Sequence, residues 1–219
     1  IISSRVDTTS KIVDAINSLP KDKRPSVLVS TSAVGFYGTS ETATFDETSP
    51  SGNDFLAEVC RKWEAEAQKV SPDSTRLAII RFGVVLDKGG GALGKMLPVF
   101  QLFAGGPLGT GQQWMSWVHR DDLVALIIES LRKQGVQWGA QRHGPQPRPH
   151  GSVLRGARLR HRPPLLAARA QLRRADASRG GSHGGAGRGK RVLPKRTESL
   201  GFRFKYRNIQ NALSAIFSS

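Results

Sequence analysis

The chain has 219 residues, 38% of them hydrophobic, a single cysteine and a formal net charge of +16. One cysteine excludes an internal disulfide framework and a cysteine-based metal site, and no stretch approaches the ~20 consecutive apolar residues of a membrane-spanning helix. The charge invites a nucleic-acid reading, but it is concentrated. Residues 135–190 hold eleven Arg and one Lys against Asp176, which accounts for +11, and the remaining +5 is unremarkable.

Residues 3–18 read as an amphipathic helix, with Val6, Ile12, Val13 and Ile16 on related turns. Leu19-Pro20 stops it. Ser26–Ser30 is a short β-branched run suited to a strand buried on both faces, and it ends in the small-residue segment TSAVGFYG. Residues 39–53 are polar and turn-rich, so a surface loop is expected. Asn53 or Asp54 then caps a helix, FLAEVCRKWEAEAQKV, whose apolar stripe is Phe55, Val59, Trp63 and Ala67. A second buried strand, RLAIIRFGVVL, spans 76–86. A glycine cluster, Gly89–Gly91, leads to a helix around ALGKMLPVFQLFAG, and residues 107–119 are loop plus short strand. Trp114 and Trp117 are expected to pack there. Asp121-Asp122 caps the next helix, DLVALIIESLRKQ. Buried strands alternating with helices predict an α/β fold built on a parallel sheet.

Residues 135–190 break this pattern. They are rich in Arg, Gly, Pro, Ala and His, show no periodicity, and are expected to be irregular. A basic linker for RNA or DNA would need interleaved aromatics, and only Trp138 is present. A translation in the wrong reading frame fits better. Codons chosen for QRHGPQPRP (141–149), moved one base, read NGTAPNPV, and codons for RPPLLAARAQLRR (162–174) read GRPSWLPVPSFAV.

The order of VLVSTSAVGFYG, LAIIRFGVVL and SWVHRDDLVALI resembles the second half of an extended short-chain dehydrogenase/reductase of the NAD-dependent epimerase/dehydratase kind. The segments FLAEVCRKWEAEA, RFGVVLDKGGGAL, AGGPLGTGQQWMSWVH and RVLPKRTESLGFRFKY narrow the resemblance to the 39U-type epimerase family proteins, whose C-terminal region is described as a domain of unknown function. The resemblance covers residues 1–136 and 190–217. It implies the C-terminal half of a Rossmann-like parallel sheet in residues 1–134, an aberrant segment at 135–190, and a remnant of the C-terminal domain at 191–219. The glycine-rich turn that holds the dinucleotide pyrophosphate in that family has no counterpart here, which implies a chain lacking the first part of the fold. The expected cofactor is NADP(H), which this chain would bind weakly or not at all.

The resemblance also implies roles. Ser32 matches the serine that hydrogen-bonds the reacting oxygen, and Thr31 beside it is a candidate cofactor contact. The family's Tyr-x-x-x-Lys general acid/base pair is missing: Phe55 or Leu56 stands in the Tyr place and Val59 or Cys60 in the Lys place. Tyr37 is the nearby phenol and the remaining catalytic candidate. Arg5 sits where a relay Asn is usual and could meet a cofactor phosphate or ribose. Arg81 and Val85 belong to the stretch whose backbone passes the nicotinamide, and His119 could reach substrate. No metal site is expected. The leading reading is therefore an NADP(H)-dependent oxidoreductase-like or epimerase-like protein of unknown small-molecule substrate, weakly active or inactive in this form. The alternative is a non-catalytic dinucleotide-binding scaffold or sensor, and a distant third is a basic nucleic-acid binder. Nucleic-acid and membrane partners are not expected. Plant relatives suggest the chloroplast.

Overall fold

The structure is a computed structural model that describes residues 1–91, 93–94, 113–132, 139–142, 148–149 and 189–218. It opens with helix α1 (Ile2–Ser18), which buries Val13 and Ile16. Leu19 leaves the helix in extended backbone, and Pro20 follows. Asn17 staples the end of α1 to the chain beyond the second helix. Its Nδ2 donates to the Lys69 carbonyl and its Oδ1 accepts from the Ser71 amide, both at 2.9 Å.

Strand β1 (Val27–Ala33) is followed by a 3-10 turn, Val34–Tyr37, and a two-residue strand, β2 (Thr44–Phe45). Helix α2 (Phe55–Ala67) starts at Asp54, whose Oδ1 accepts from the Ala57 amide at 2.9 Å. That hydrogen bond satisfies one of the unpaired amides of the first turn and selects Asp54 over Asn53 as the cap. Next come β3 (Arg76–Phe82) and β4 (Val84–Leu86). The run 76–86, expected as one strand, is interrupted at Gly83, and its two halves pair in different sheets.

β3 pairs in parallel with β1, Val27 opposite Arg76 through Ala33 opposite Phe82. On its other side it pairs in parallel with β7 (Gly139–Arg142). Because side chains alternate across a sheet, Leu28 and Leu77 face one side and Val29, Ala78 and Ile80 the other. The first side packs on Val13, Ile16 and Val70. The second packs on Leu123 and Leu126 of α3 (Arg120–Arg132) and on Phe202 and Phe204. This is an α/β layered, Rossmann-like arrangement with parallel strands.

A second parallel pair joins β4 to β6 (Trp117–His119), and β5 (Trp114–Met115) pairs antiparallel with β8 (Arg148–Pro149). Leu86 and Trp117 there are covered by Ile209, Ala212, Leu213 and Ile216 of the last helix, α5 (Ile209–Ser218). Full burial of each of the Leu and Ile side chains contributes roughly 1.5–3 kcal/mol.

The C-terminal segment enters along β9 (Arg191–Val192), which pairs in parallel with β2, and a short helix, α4 (Lys195–Ser199). The loop 39–53 is therefore partly sheet rather than free surface. Lys195 pairs with Asp46 at 2.7 Å and the Thr197 amide donates to Glu47 at 3.3 Å. Asp122, expected to cap α3, instead grips this segment: its Oδ1 accepts from the Lys205 amide at 2.8 Å and its Oδ2 from the Tyr206 amide at 3.0 Å. Within the stretch 135–190 expected to be irregular, the described residues 139–142 and 148–149 are strands. The rest of it up to 188, like the helix expected after Gly91, lies outside the described residues apart from Leu93 and Gly94.

Two expected stripes hold in part: Val13 and Ile16 of α1 and Val59 and Ala67 of α2 are buried, but one member of each is exposed. Phe55 is 54% exposed and Ile12 47%. The face of α2 turned inward adds Ala57, Cys60 and Glu64 to Val59 and Ala67.

Candidate functional site

The parallel register sets Ser32 directly opposite Arg81. Both side chains meet Glu64 of α2. Ser32 Oγ donates to Glu64 Oε1 at 2.6 Å, Arg81 Nε donates to the same oxygen at 2.7 Å, and Arg81 Nη2 donates to Oε2 at 2.7 Å. The guanidinium thus grips the carboxylate in a two-pronged geometry that only Arg provides. Arg81 Nη1 donates to the Tyr37 hydroxyl at 2.9 Å, and the Phe36 ring lies 3.4 Å from the guanidinium carbon. Ser32, Glu64 and Tyr37 are 1%, 4% and 3% exposed.

Tyr37 is held by the turn after β1. Gly38 ends that turn at φ +71°, a conformation that side-chain-bearing residues rarely adopt. A Cβ on Gly52 would lie 2.5 Å from the Gly38 Cα, so the two backbones touch. The Tyr37 ring stacks on Phe45 with centroids 5.5 Å apart. Burial pushes the phenol far above its ordinary range, and the neighbouring Arg81 offsets this only in part. For Arg81, burial works to lower the value, but the hydrogen bonds to Glu64 prevail and hold the guanidinium charged.

The structure also decides which α2 residues face the strand end. A Cβ on Gly35 would lie 3.2 Å from Leu56 Cβ and 3.4 Å from Cys60 Sγ, and the Cys60 thiol points at the Ala33 carbonyl at 3.6 Å. Of the two possible registers, Leu56 and Cys60 are therefore the pair at the strand end. Burial raises the Cys60 thiol. The ammonium of Lys190, from the C-terminal segment, lies within electrostatic reach of Asp54 and Cys60.

The site residues expected from sequence fall in separate places. Ser32, Tyr37 and Arg81 come together in the buried cluster. Arg5 and Thr31 come together elsewhere, in a groove of about 240 Å³ along β1 that Ser30, Ile12 and Trp63 also line. Arg5 there sits 5.4 Å over the Trp63 ring, and among the described residues its hydrogen bonds are long, to the Ile1 carbonyl at 3.5 Å and Ser4 Oγ at 3.4 Å. Val85 lies opposite Val118 on β6 and packs against the apolar core. His119 stacks on Tyr206 in a third place. Sequence reasoning missed Glu64, although a signal was present: Leu56, Cys60 and Glu64 recur every four residues, so the carboxylate shares their helix face. It also missed Phe36 and Lys190, for which no local signal exists. Among the described residues no cluster of His, Cys, Asp or Glu could hold a metal, and no helix is long and apolar enough to cross a membrane.

Comparison with known proteins accords with this architecture. Residues 182–216 match a family described as a domain of unknown function, DUF1731, so the match begins nine residues before the boundary expected at 191. The chain is 50% identical over 218 residues to the chloroplastic SDR39U1 homolog of Arabidopsis thaliana, covering 99% of this chain and 62% of the relative. It is 34% identical to the epimerase family protein YfhF of Bacillus subtilis, covering 100% and 71% of the two chains. The crystal structure of human SDR39U1 with NADPH superposes with a TM-score of 0.85 at 31% identity, covering 100% of this chain and 74% of that one. The chain thus spans less than two thirds of the Arabidopsis relative. It belongs to the SDR39U1-type epimerase family proteins, within the epimerase/dehydratase branch of the short-chain dehydrogenases/reductases.

Proposed function

We propose that this chain is the part of an NADP(H)-binding epimerase-family protein that faces the nicotinamide end of the cofactor, with a small-molecule substrate. The observation that carries this is the groove along β1, lined by Arg5, Thr8, Ser30, Thr31 and Trp63, with the Arg5 guanidinium over the indole. Such donors fit the phosphate and ribose oxygens of a dinucleotide. The NADPH in the human relative's structure supports the same reading. When bound, NADPH would supply a hydride. What this chain supplies is orientation through Arg5 and Thr31.

Catalysis by this chain is weak or absent. Leu56 and Cys60 stand at the strand end where a proton-transferring phenol and its ammonium would be needed, and Leu56 cannot move a proton. The Ser32 hydroxyl is already donated to Glu64, and the Tyr37 phenol holds its proton too tightly to release it near neutrality. These features favour the second reading, a non-catalytic dinucleotide-binding scaffold or sensor. The chloroplastic Arabidopsis relative supports a plastid location.

Saturation-transfer NMR with NADPH tests the proposal. Weak transfer to the chain is expected, several-fold reduced in Arg5→Ala. Absence of transfer, or transfer unchanged in that variant, would overturn it. Turnover with nucleotide sugars or small carbonyl compounds separates the enzyme from the sensor.

A further inference from the structure

The C-terminal segment closes a second cavity, of about 290 Å³, over the carboxyl ends of β4 and β6. Open parallel sheets present ligands at strand carboxyl ends, and this volume stands at the small end of ordinary ligand sites. Among the described residues its wall includes His119, Asp87, Arg120, Tyr206 and Ile216, none of which lines the Arg5 groove. Tyr206 and Ile216 belong to the stretch matched by the domain of unknown function.

His119 is the chemical centre. It is 5% exposed, and its ring lies 3.9 Å from that of Tyr206. Its Nδ1 accepts from the Asp121 amide at 3.1 Å. An accepting Nδ1 carries no proton, so the neutral ring bears its hydrogen on Nε2. Burial acts in the same direction by disfavouring the charged ring. Among the described residues the Nε2–H has no protein acceptor, and His119 lines the cavity.

The charges of the wall select the ligand. Arg120 already donates to Asp87 at 2.8 Å and to Asp121 at 3.4 Å. The wall is balanced in charge: Asp87 and Asp121 oppose an anion, and Lys88 and Arg120 oppose a cation. An uncharged molecule with an acceptor oxygen meets neither penalty. We propose that this cavity binds a small uncharged carbonyl compound, an amide or a ketone, whose oxygen accepts from His119 Nε2 while its body lies against Tyr206 and Ile216.

Three probes of one shape test this: benzamide, benzoate and benzylamine. Binding to the full chain is followed by the His119 ring signal in protein labelled with ¹⁵N-histidine, and by saturation transfer. Benzamide is expected to shift and saturate the signal, and the two charged probes at equal concentration are not. His119→Phe retains the ring stack but removes the donor, and should weaken benzamide by about tenfold or more. Ile216→Trp fills the cavity and should abolish binding while the Asp121 hydrogen bond persists. If His119→Phe fails to fold, Ile216→Trp decides alone. Absence of a benzamide shift, benzoate or benzylamine binding as tightly, or benzamide binding retained in either folded variant would overturn the proposal.

Discussion

Ser32 and Arg81 stand opposite each other on adjacent parallel strands and share one acceptor, Glu64 Oε1, at 2.6 and 2.7 Å. A serine and an arginine 49 positions apart are thereby locked to a helix between them in the sequence. The cluster holds together the end of β1, the inward face of α2 and the turn carrying Tyr37.

This coupling has a measurable energy. Breaking a buried pair by removing one partner leaves an uncompensated charge, and either Glu64→Gln or Arg81→Met is expected to cost about 3–5 kcal/mol. The double variant should lose much less than the two singles summed, because neither charge is then stranded. Urea denaturation of the four proteins reads the difference; additive losses would mean that the pair is not energetically coupled.

Tyr37 is expected to resist ionisation. The protein contains two tyrosines, so in a Tyr206→Phe background the absorbance change on phenol ionisation reports Tyr37 alone. Its folded-state value is raised above the unfolded value of 10.0. The folded state therefore binds more protons at high pH. The stabilisation is complete below pH 10 and is lost as pH rises beyond it. Ionisation at the ordinary value with the fold intact would contradict the buried geometry.

Asp122 has the converse role, joining the C-terminal segment to α3. Asp122→Ala leaves the Lys205 and Tyr206 amides without their acceptor, at an expected cost of about 2–4 kcal/mol. Limited proteolysis should then cut preferentially between residues 189 and 218, releasing the segment that carries Tyr206. Unchanged proteolysis and denaturation midpoint would show the clamp to be dispensable.

The basic stretch 135–190 is expected to come from a shifted reading frame. Sequencing of the transcript should reveal a single-base change near codon 137 and a compensating one near codon 189 that restore a family-like sequence. If no such pair of changes does so, the reading fails.

Much of the architecture was legible from local pattern. Apolar runs rich in β-branched residues marked β1 and β3, Pro20 ended α1, and the Asp54 cap began α2. Each of these is a property of a few neighbouring residues, and propensity, capping and periodicity act at that range. The tertiary structure alone decided that α2 turns Glu64 rather than Phe55 inward, that Asp122 serves a segment 83 positions away instead of its own helix, and that Gly83 divides one apolar run between two sheets. Those outcomes depend on partners brought together by strand register and helix rotation. A buried charge is stable only beside its counter-charge, and a sequence shows the charge without showing the neighbour.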